Sequence, residues 1–271
     1  GADIPDDYLS EIQIVPARYS FGSQQHIDRV TQTPKDFYKQ MEKDSNHPKT
    51  SQPTPGDFRK TYSFISSHYN HVISIHLSKN ISGTYQSAVN ASKKVKKLQI
   101  KIIDSFTASV GLGLLAMYAV DLKQEGKTYE QIVSQVNKKR YKTHVYLVPD
   151  DLNYVVKGGR APSKVKTIAN LFRLRPVLGT KKGYLKARGV LYGKSNTTEK
   201  FSKYLVNKLD SDKKYRLMVA HSNCEDKGNR FLNKLLKSDL NIKEHYILEL
   251  GGALGAHTGP NSLVAGFQEM E

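Results

Sequence analysis

Cysteine is nearly absent: Cys224 is the only one in 271 residues. No intrachain disulfide can form and no cysteine-based metal site can be built, so a reducing, cytoplasmic setting is expected. No apolar run reaches the ~18 residues that a membrane-spanning helix needs. The opening "GADIPDDYLSEIQIVP" has no basic segment followed by an apolar one, so no signal peptide is expected. Tryptophan is missing, and acidic residues are few beside basic ones, 25 against 42. There is no Walker loop, no H-E-x-x-H, no Cys/His metal spacing and no G-x-S-x-G elbow. Phosphate-loop, zinc-dependent and elbow-type hydrolytic chemistry therefore find no motif, and neither a metal nor a cofactor is expected.

What is present suffices for a core. Hydrophobic residues make up 38% of the chain and 16 are tyrosine, enough to argue against disorder. The length suits one large domain or two smaller ones. The net charge of +17 comes mostly from lysine, with arginine supplying ten of the 42 basic residues. Arginine is the usual reader of phosphates and bases. The clusters "KKVKK" (93–97), "KKR" (138–140) and "KK" (181–182) do not line up as one stripe. The pattern argues against nucleic acid, and an anionic ligand, a protein partner or a membrane surface explains it equally well.

The first half alternates strand and helix. "EIQIVPARY", "HVISIHL", "QIKIID" and "THVYLVP" read as strands. Thr33-Pro34 and Thr54-Pro55 are helix-start signatures, and Ser82 reads as the cap of a helix over "SGTYQSAVNASKKV". The long helix "TASVGLGLLAMYAVDLKQEG" and the amphipathic "TYEQIVSQVNKKR" complete a rhythm that predicts an α/β/α arrangement on a mostly parallel sheet. The second half holds a helix stopped at Gly158-Gly159, a short helix "SKVKTIANLF", a hairpin turning at Lys181 to Gly183, and then helix, strand, helix, strand. This predicts a Rossmann-like domain over 1–149 and a smaller α+β domain over 150–271.

Several stretches carry chemistry. Ser82 follows a strand at the carboxyl edge of the expected sheet, where helix N-termini hold anions. Thr50 and Ser51, in "PKTSQPTPG", face that edge as a second hydroxyl loop able to hold both oxygens of one carboxylate, or else form a helix-entry turn. Arg160 follows two glycines and is placed either to orient an anion or to sit at the surface. His257 lies among small residues in "GGALGAHTGP", where the backbone can approach a ligand closely. "GLGLLA" is no dinucleotide signature, because its glycines fall inside a helix; its small residues suit close packing of another helix or an acyl chain. Ser82, His257 and Asp104 have the residue types of a hydrolytic triad, which keeps an acyl hydrolase as the alternative function.

In order along the chain, "KTSQPTPGDF", "ISIHLSKNISGTYQSA", "IIDSFTASVGLGLLA", "DDLNYVVKGGRAPS", "RPVL" and "GAHTGPNSLVAGF" resemble the DegV family. These are bacterial fatty-acid-binding proteins that act as carrier subunits of a fatty acid kinase. The resemblance implies an α/β domain and a smaller one with a long-chain fatty acid in a buried tunnel between them. Its carboxylate would be held by Thr50 or Ser51, by Ser82 with the following N–H groups of Gly83 and Thr84, and by His257 with Thr258. Arg160 and Arg188 would stand near the tunnel mouth for head-group or partner contacts. The resemblance further implies no catalytic residue of the chain's own. A kinase partner would make acyl phosphate for phospholipid synthesis, and an anionic membrane would be touched transiently. The family usually opens with a short strand and a Thr-Asp-Ser turn before "DIP". This sequence begins at "GADIP", which leaves one strand and one polar contact of that pattern open.

Overall fold

The computed structural model describes residues 3–161, 174–193 and 195–271; the expected helix "SKVKTIANLF" lies outside them. The elements run β1 (Arg18–Phe21), β2 (Gln24–Ile27), α1 (Pro34–Lys43), β3 (Lys49–Ser51), α2 (Pro55–Ile65), β4 (His71–His76), α3 (Thr84–Ser92), β5 (Gln99–Asp104), α4 (Val110–Gln124), α5 (Tyr129–Lys139) and β6 (Thr143–Val148). They continue with α6 (Leu152–Lys157), β7 (Leu174–Lys181), β8 (Tyr184–Tyr192), α7 (Thr197–Val206), β9 (Lys214–His221), α8 (Glu225–Leu236), β10 (Asn241–Glu249), α9 (Gly252–Thr258) and β11 (Leu263–Glu269).

The helix starts follow local chemistry. Thr33 and Thr54 cap α1 and α2 with proline in the first turn. At α2 the cap is reciprocal: Asp57 N–H donates to Thr54 Oγ1 (3.2 Å) and Thr54 N–H donates to Asp57 Oδ2 (2.8 Å). Asp57 also receives a two-pronged bond from Arg18 at 2.6 and 2.9 Å, which holds its carboxyl far below the usual carboxylate range. The β7–β8 turn puts Lys182 and Gly183 at φ 52° and 82°, the left-handed pair that a two-residue hairpin needs.

The α/β class expected from the sequence is what the structure shows, but the mostly parallel sheet expected with it is not: most strand pairs among the described residues are antiparallel. Among the described residues the sheets have the orders β2–β1–β3, β4–β5 and β10–β9–β11–β6–β7–β8. Parallel pairing is confined to β4–β5 and β9–β10; the other pairs are antiparallel. The expected division at 149/150 does not separate the sheets: β6 precedes it and lies inside the six-stranded sheet, beside β11. "EIQIVPARY" is extended only from Arg18 onward as a strand.

Helix α4 ties the layers together. Val110, Leu114 and Met117 pack on the six-stranded sheet, while Leu115 and Leu122 join Ile103 beneath β4–β5. Burial on two sides explains why its sequence is apolar nearly all round. Its glycines admit neither another helix nor an acyl chain: a Cβ on Gly113 would strike the backbone oxygen of Asp3, and one on Gly111 the Thr107 hydroxyl. Asp3 itself is buried, accepting from Ser109 Oγ (3.0 Å) and pairing with Arg29 (3.0 Å). On the far face of the large sheet, α7 and α8 meet through stacked Phe201 and Phe231 rings 4.8 Å apart.

Replacing Thr54 with alanine removes one half of the reciprocal cap. Urea unfolding is expected to show a loss of about 1 kcal/mol with an unchanged m-value; an unchanged midpoint would show that the cap contributes nothing.

Candidate functional site

Between the β4–β5 pair and the six-stranded sheet lies a cavity of about 970 Å³, at the upper end of the ~300–1,000 Å³ usual for ligand sites. Its wall is mainly apolar, with Ile73 and Ile75 of β4, Leu112 and Ala116 of α4, Leu147 of β6 and Leu185 of β8. Thr50, Ser51, Ser82, Thr84, Arg160, His257 and Thr258 also line it. Residues that sequence reasoning singled out in separate stretches therefore line a single space.

Short elements bring them there. Strand β3 places Thr50 opposite Tyr19 of β1. His257 sits not in a loop but near the end of α9, a seven-residue helix. Glycine-rich segments make poor helices, and this one is held by its surroundings. A Cβ on Gly252 or Gly255 would strike the rings of Tyr19, Phe37 and Tyr38. Gly259 ends the helix at φ 72°, with Tyr154 against its Cα.

His257 Nε2 and Thr50 Oγ1 are 2.8 Å apart. Nδ1 is buried without a partner, pressed so closely on Gly158 that a Cβ there would overlap it. An orphaned N–H inside the protein costs more than an orphaned lone pair, so the proton belongs on Nε2, which donates to Thr50. The threonine hydroxyl is then free to donate into the cavity. Burial first, then the positive charges of Arg160 and His47, lowers the His257 pKa to about 4. The imidazole is neutral at physiological pH.

Ser82 corrects an expectation. Gly83, not Ser82, holds the cap position of α3. Ser82 Oγ accepts from Thr84 N–H (3.3 Å) and lies 2.9 Å from Thr84 Oγ1. Gly83 does not line the cavity; it leaves room for the Gln52 side chain, which a Cβ would strike. Gln52, which does line the cavity and donates to Ser87 Oγ (3.3 Å), escaped the sequence reading. Thr258 is buried, 3.2 Å from the Ser222 hydroxyl. Arg160 is exposed at the cavity rim and folds back to donate to Gly158 O (2.7 Å).

Arg188 does not itself line the cavity. The register of β7 and β8 slips between Val177, opposite Gly189, and Leu178, opposite Ala187, so Arg188 is the extra residue of a bulge. Its guanidinium donates to the backbone of Thr180 (3.2 Å), a residue of the cavity wall, and lies 5.8 Å from the Tyr146 ring. The hydrolytic arrangement also lacks its contacts. Neither the Ser82 hydroxyl nor the His257 ring bonds the other, and Asp104 accepts from Phe106 N–H (3.0 Å). Among the described residues no group of three or more His, Cys, Asp or Glu is placed to hold a metal.

The family model described as "Uncharacterised protein, DegV family" matches residues 1–269. The chain belongs to the DegV family. A DegV domain-containing protein of Caldanaerobacter subterraneus is 29% identical over 273 residues, covering 99% of this chain and 96% of the relative. Among solved structures, a DegV family protein from Thermus thermophilus, described by its fatty acid binding, superposes with a TM-score of 0.90 at 27% identity, covering 99% of this chain and 96% of that one. A DegV lipid-binding protein from Thermotoga maritima gives 0.88 at 28% identity, covering 100% and 96%. DegV from Bacillus subtilis, described as a fatty acid binding protein, gives 0.88 at 25% identity, covering 99% and 96%.

This DegV chain has a second polar group in the cavity wall, which the sequence reading missed. Tyr62 Oη lies 2.8 Å from Ser74 Oγ, which lies 2.8 Å from His76 Nε2. Alternation along β4 puts Ser74 and His76 on one face, a signal present in "HVISIHL". Burial lowers the His76 pKa to about 4. These two histidines, and by burial also His47, His144 and His221, have folded pKa values below the 6.5 of an unperturbed side chain. As pH falls from about 6.5 toward 4, the unfolded chain binds protons that the folded chain refuses, so stability falls across that window. Urea midpoints are expected to be lower at pH 5 than at pH 7.5, with the gap reduced in His76→Gln/His257→Gln. Equal midpoints for the parent protein would contradict two neutral buried rings.

Proposed function

We propose that this chain binds a long-chain fatty acid in the cavity. The carboxylate sits at the Thr50–His257 end, within reach of Ser51, Ser82, Thr84 and Thr258, and the tail runs along the apolar wall. The observation that carries the reading is a large apolar space ending at a hydroxyl oriented by a neutral imidazole. Each buried CH₂ of the tail contributes ~0.8 kcal/mol. A carboxylate leaving water needs several donors to offset its lost hydration, and the hydroxyl cluster offers them. The fatty acid binding described for the Thermus thermophilus and Bacillus subtilis proteins supports the same ligand class.

The finer reading is a carrier in the cytoplasm with no chemistry of its own. The ligand lies along the seam between the part built on β4–β5 and the six-stranded sheet. A fatty acid kinase phosphorylates the carboxylate while it is held, giving an acyl phosphate for phospholipid synthesis. Arg160, folded back at the rim with its charge toward His257, orients the head group or meets that kinase. Arg188, on its bulge, is left only the partner role. Fatty acid is collected from and returned to an anionic membrane.

Protein purified from cells and then denatured is expected to release long-chain fatty acid detectable by mass spectrometry. Delipidated protein should bind oleate in a calorimetric titration, with affinity falling roughly 10- to 100-fold in Thr50→Val, as loss of a bond to a charged group implies. Gly158→Ala, which pushes His257 forward without straining the backbone, should weaken binding similarly. No released lipid and no oleate binding by the parent protein would end the proposal.

A further inference from the structure

Residues 58–103 contain eight lysines and arginines and no aspartate or glutamate. This stretch spans most of α2, β4, α3 and β5, with the layer's two carboxylates, Asp57 and Asp104, lying just outside it at either end. Four of the eight basic residues gather at one edge, in the segment before β5. Strands β4 and β5 are parallel and in register from His71 opposite Gln99, so the segments that lead into them emerge side by side. Gln99 N–H donates to Asn70 O (2.9 Å), and Ile65 and Val95 pack in the same cluster. The segment before β5 carries Lys93, Lys94, Lys96 and Lys97, all exposed. None of the four is neutralised by an ion pair among the described residues.

The segment before β4 carries the apolar counterpart. Phe64 and Tyr69 are 64% and 65% exposed, well beyond what ring burial would favour. They bracket His68, whose ring centroid lies 5.1 Å from that of Phe64 and 6.5 Å from that of Tyr69, forming one aromatic strip. Lys60, one helical turn before Phe64, flanks it. Phe64, Tyr69 and the part-exposed Leu9 also line the cavity, so the apolar interior reaches the surface here. Glu11, which lines the same opening, is neutralised by Lys123 at 2.5 Å.

We infer that this edge docks on an anionic lipid surface, with Phe64 and Tyr69 entering the headgroup region and Lys60, Lys93, Lys94, Lys96 and Lys97 facing the lipid charge. Exposed aromatic rings beside unpaired lysines are the composition of interfacial binding. Each lysine near an anionic leaflet adds to the attraction, which salt screens. Contact between the rings and the acyl region at the cavity opening gives a lipid tail a continuous apolar path. A purely ionic partner would have no use for the rings. The inference extends the carrier reading by assigning the membrane contact to one face.

Co-sedimentation with vesicles of phosphatidylcholine alone and with about a third phosphatidylglycerol tests it. The parent protein is expected to bind the anionic vesicles at low salt, to be released by high salt, and to ignore the neutral ones. Lys93→Glu/Lys94→Glu/Lys96→Glu/Lys97→Glu should weaken vesicle binding at least ten-fold, and Phe64→Ser/Tyr69→Ser several-fold. A control reversing the charge of exposed Lys208, Lys237 and Lys243 should bind as the parent does. The lysine variant and the control should keep the parent's affinity for oleate in solution, so loss of oleate binding in either would count against the carrier reading alone. Three results would overturn the docking face: no vesicle binding by the parent, equal loss in the control, or no dependence on the two rings. The last would point to an acidic protein surface instead.

Discussion

The hydrogen bond between Thr50 and His257 is the constraint around which the rest is arranged. It joins a three-residue strand to a seven-residue helix, two elements too short to be stable alone, across the end of an apolar space. A neutral imidazole in that position orients a hydroxyl without bringing a buried positive charge that would need its own partner. Gly158 is small so that the ring can lie there, and the Gly252 and Gly255 positions are small so that Tyr19, Phe37 and Tyr38 can lock the helix beneath it. The polar end of the cavity is thus rigid because its neighbours are packed, which is what preorganised binding of a carboxylate requires.

The cavity exists because α4 stands between two sheets. The helix fills the gap on either side of its axis with Leu114, Leu115 and Met117, yet turns Leu112, Ala116 and Ala119 to the open space. Small and medium side chains on that face leave room that larger ones would close. One helix thus packs two sheets with some of its residues and walls the cavity with others, and a tail occupying the cavity would complete a core rather than add to a surface.

Much of this was legible in the sequence. The threonine-proline caps, the hairpin at Lys182–Gly183 and the convergence of "KTSQP", "SGTYQS" and "GAHTGP" have local or motif-level causes. What was not legible has non-local causes. Strand order cannot be read from an alternating pattern: β6 was placed by rhythm with the first half, but β11 pairs with it and β9 together, drawing it into the larger sheet. Strand β3, at three residues, is too short to show alternation. Helix α9 is glycine-rich and defies propensity because tertiary contacts fix it. Arg188 was assigned by resemblance alone, and the one-residue bulge that places its guanidinium on Thr180 could not be read from the sequence.

Fatty acid binding of the proposed kind requires a carboxylate beside Thr50 with its tail in the apolar space. A crystal structure of the protein saturated with oleate tests this most directly. A carboxylate oxygen is expected ~2.7 Å from Thr50 Oγ1, as charge-assisted O–H···O bonds require, with the tail against Ile73, Leu112 and Leu147. A fatty acid lying the other way round, with its methyl end at His257, or one bound only on the outer surface, would contradict it.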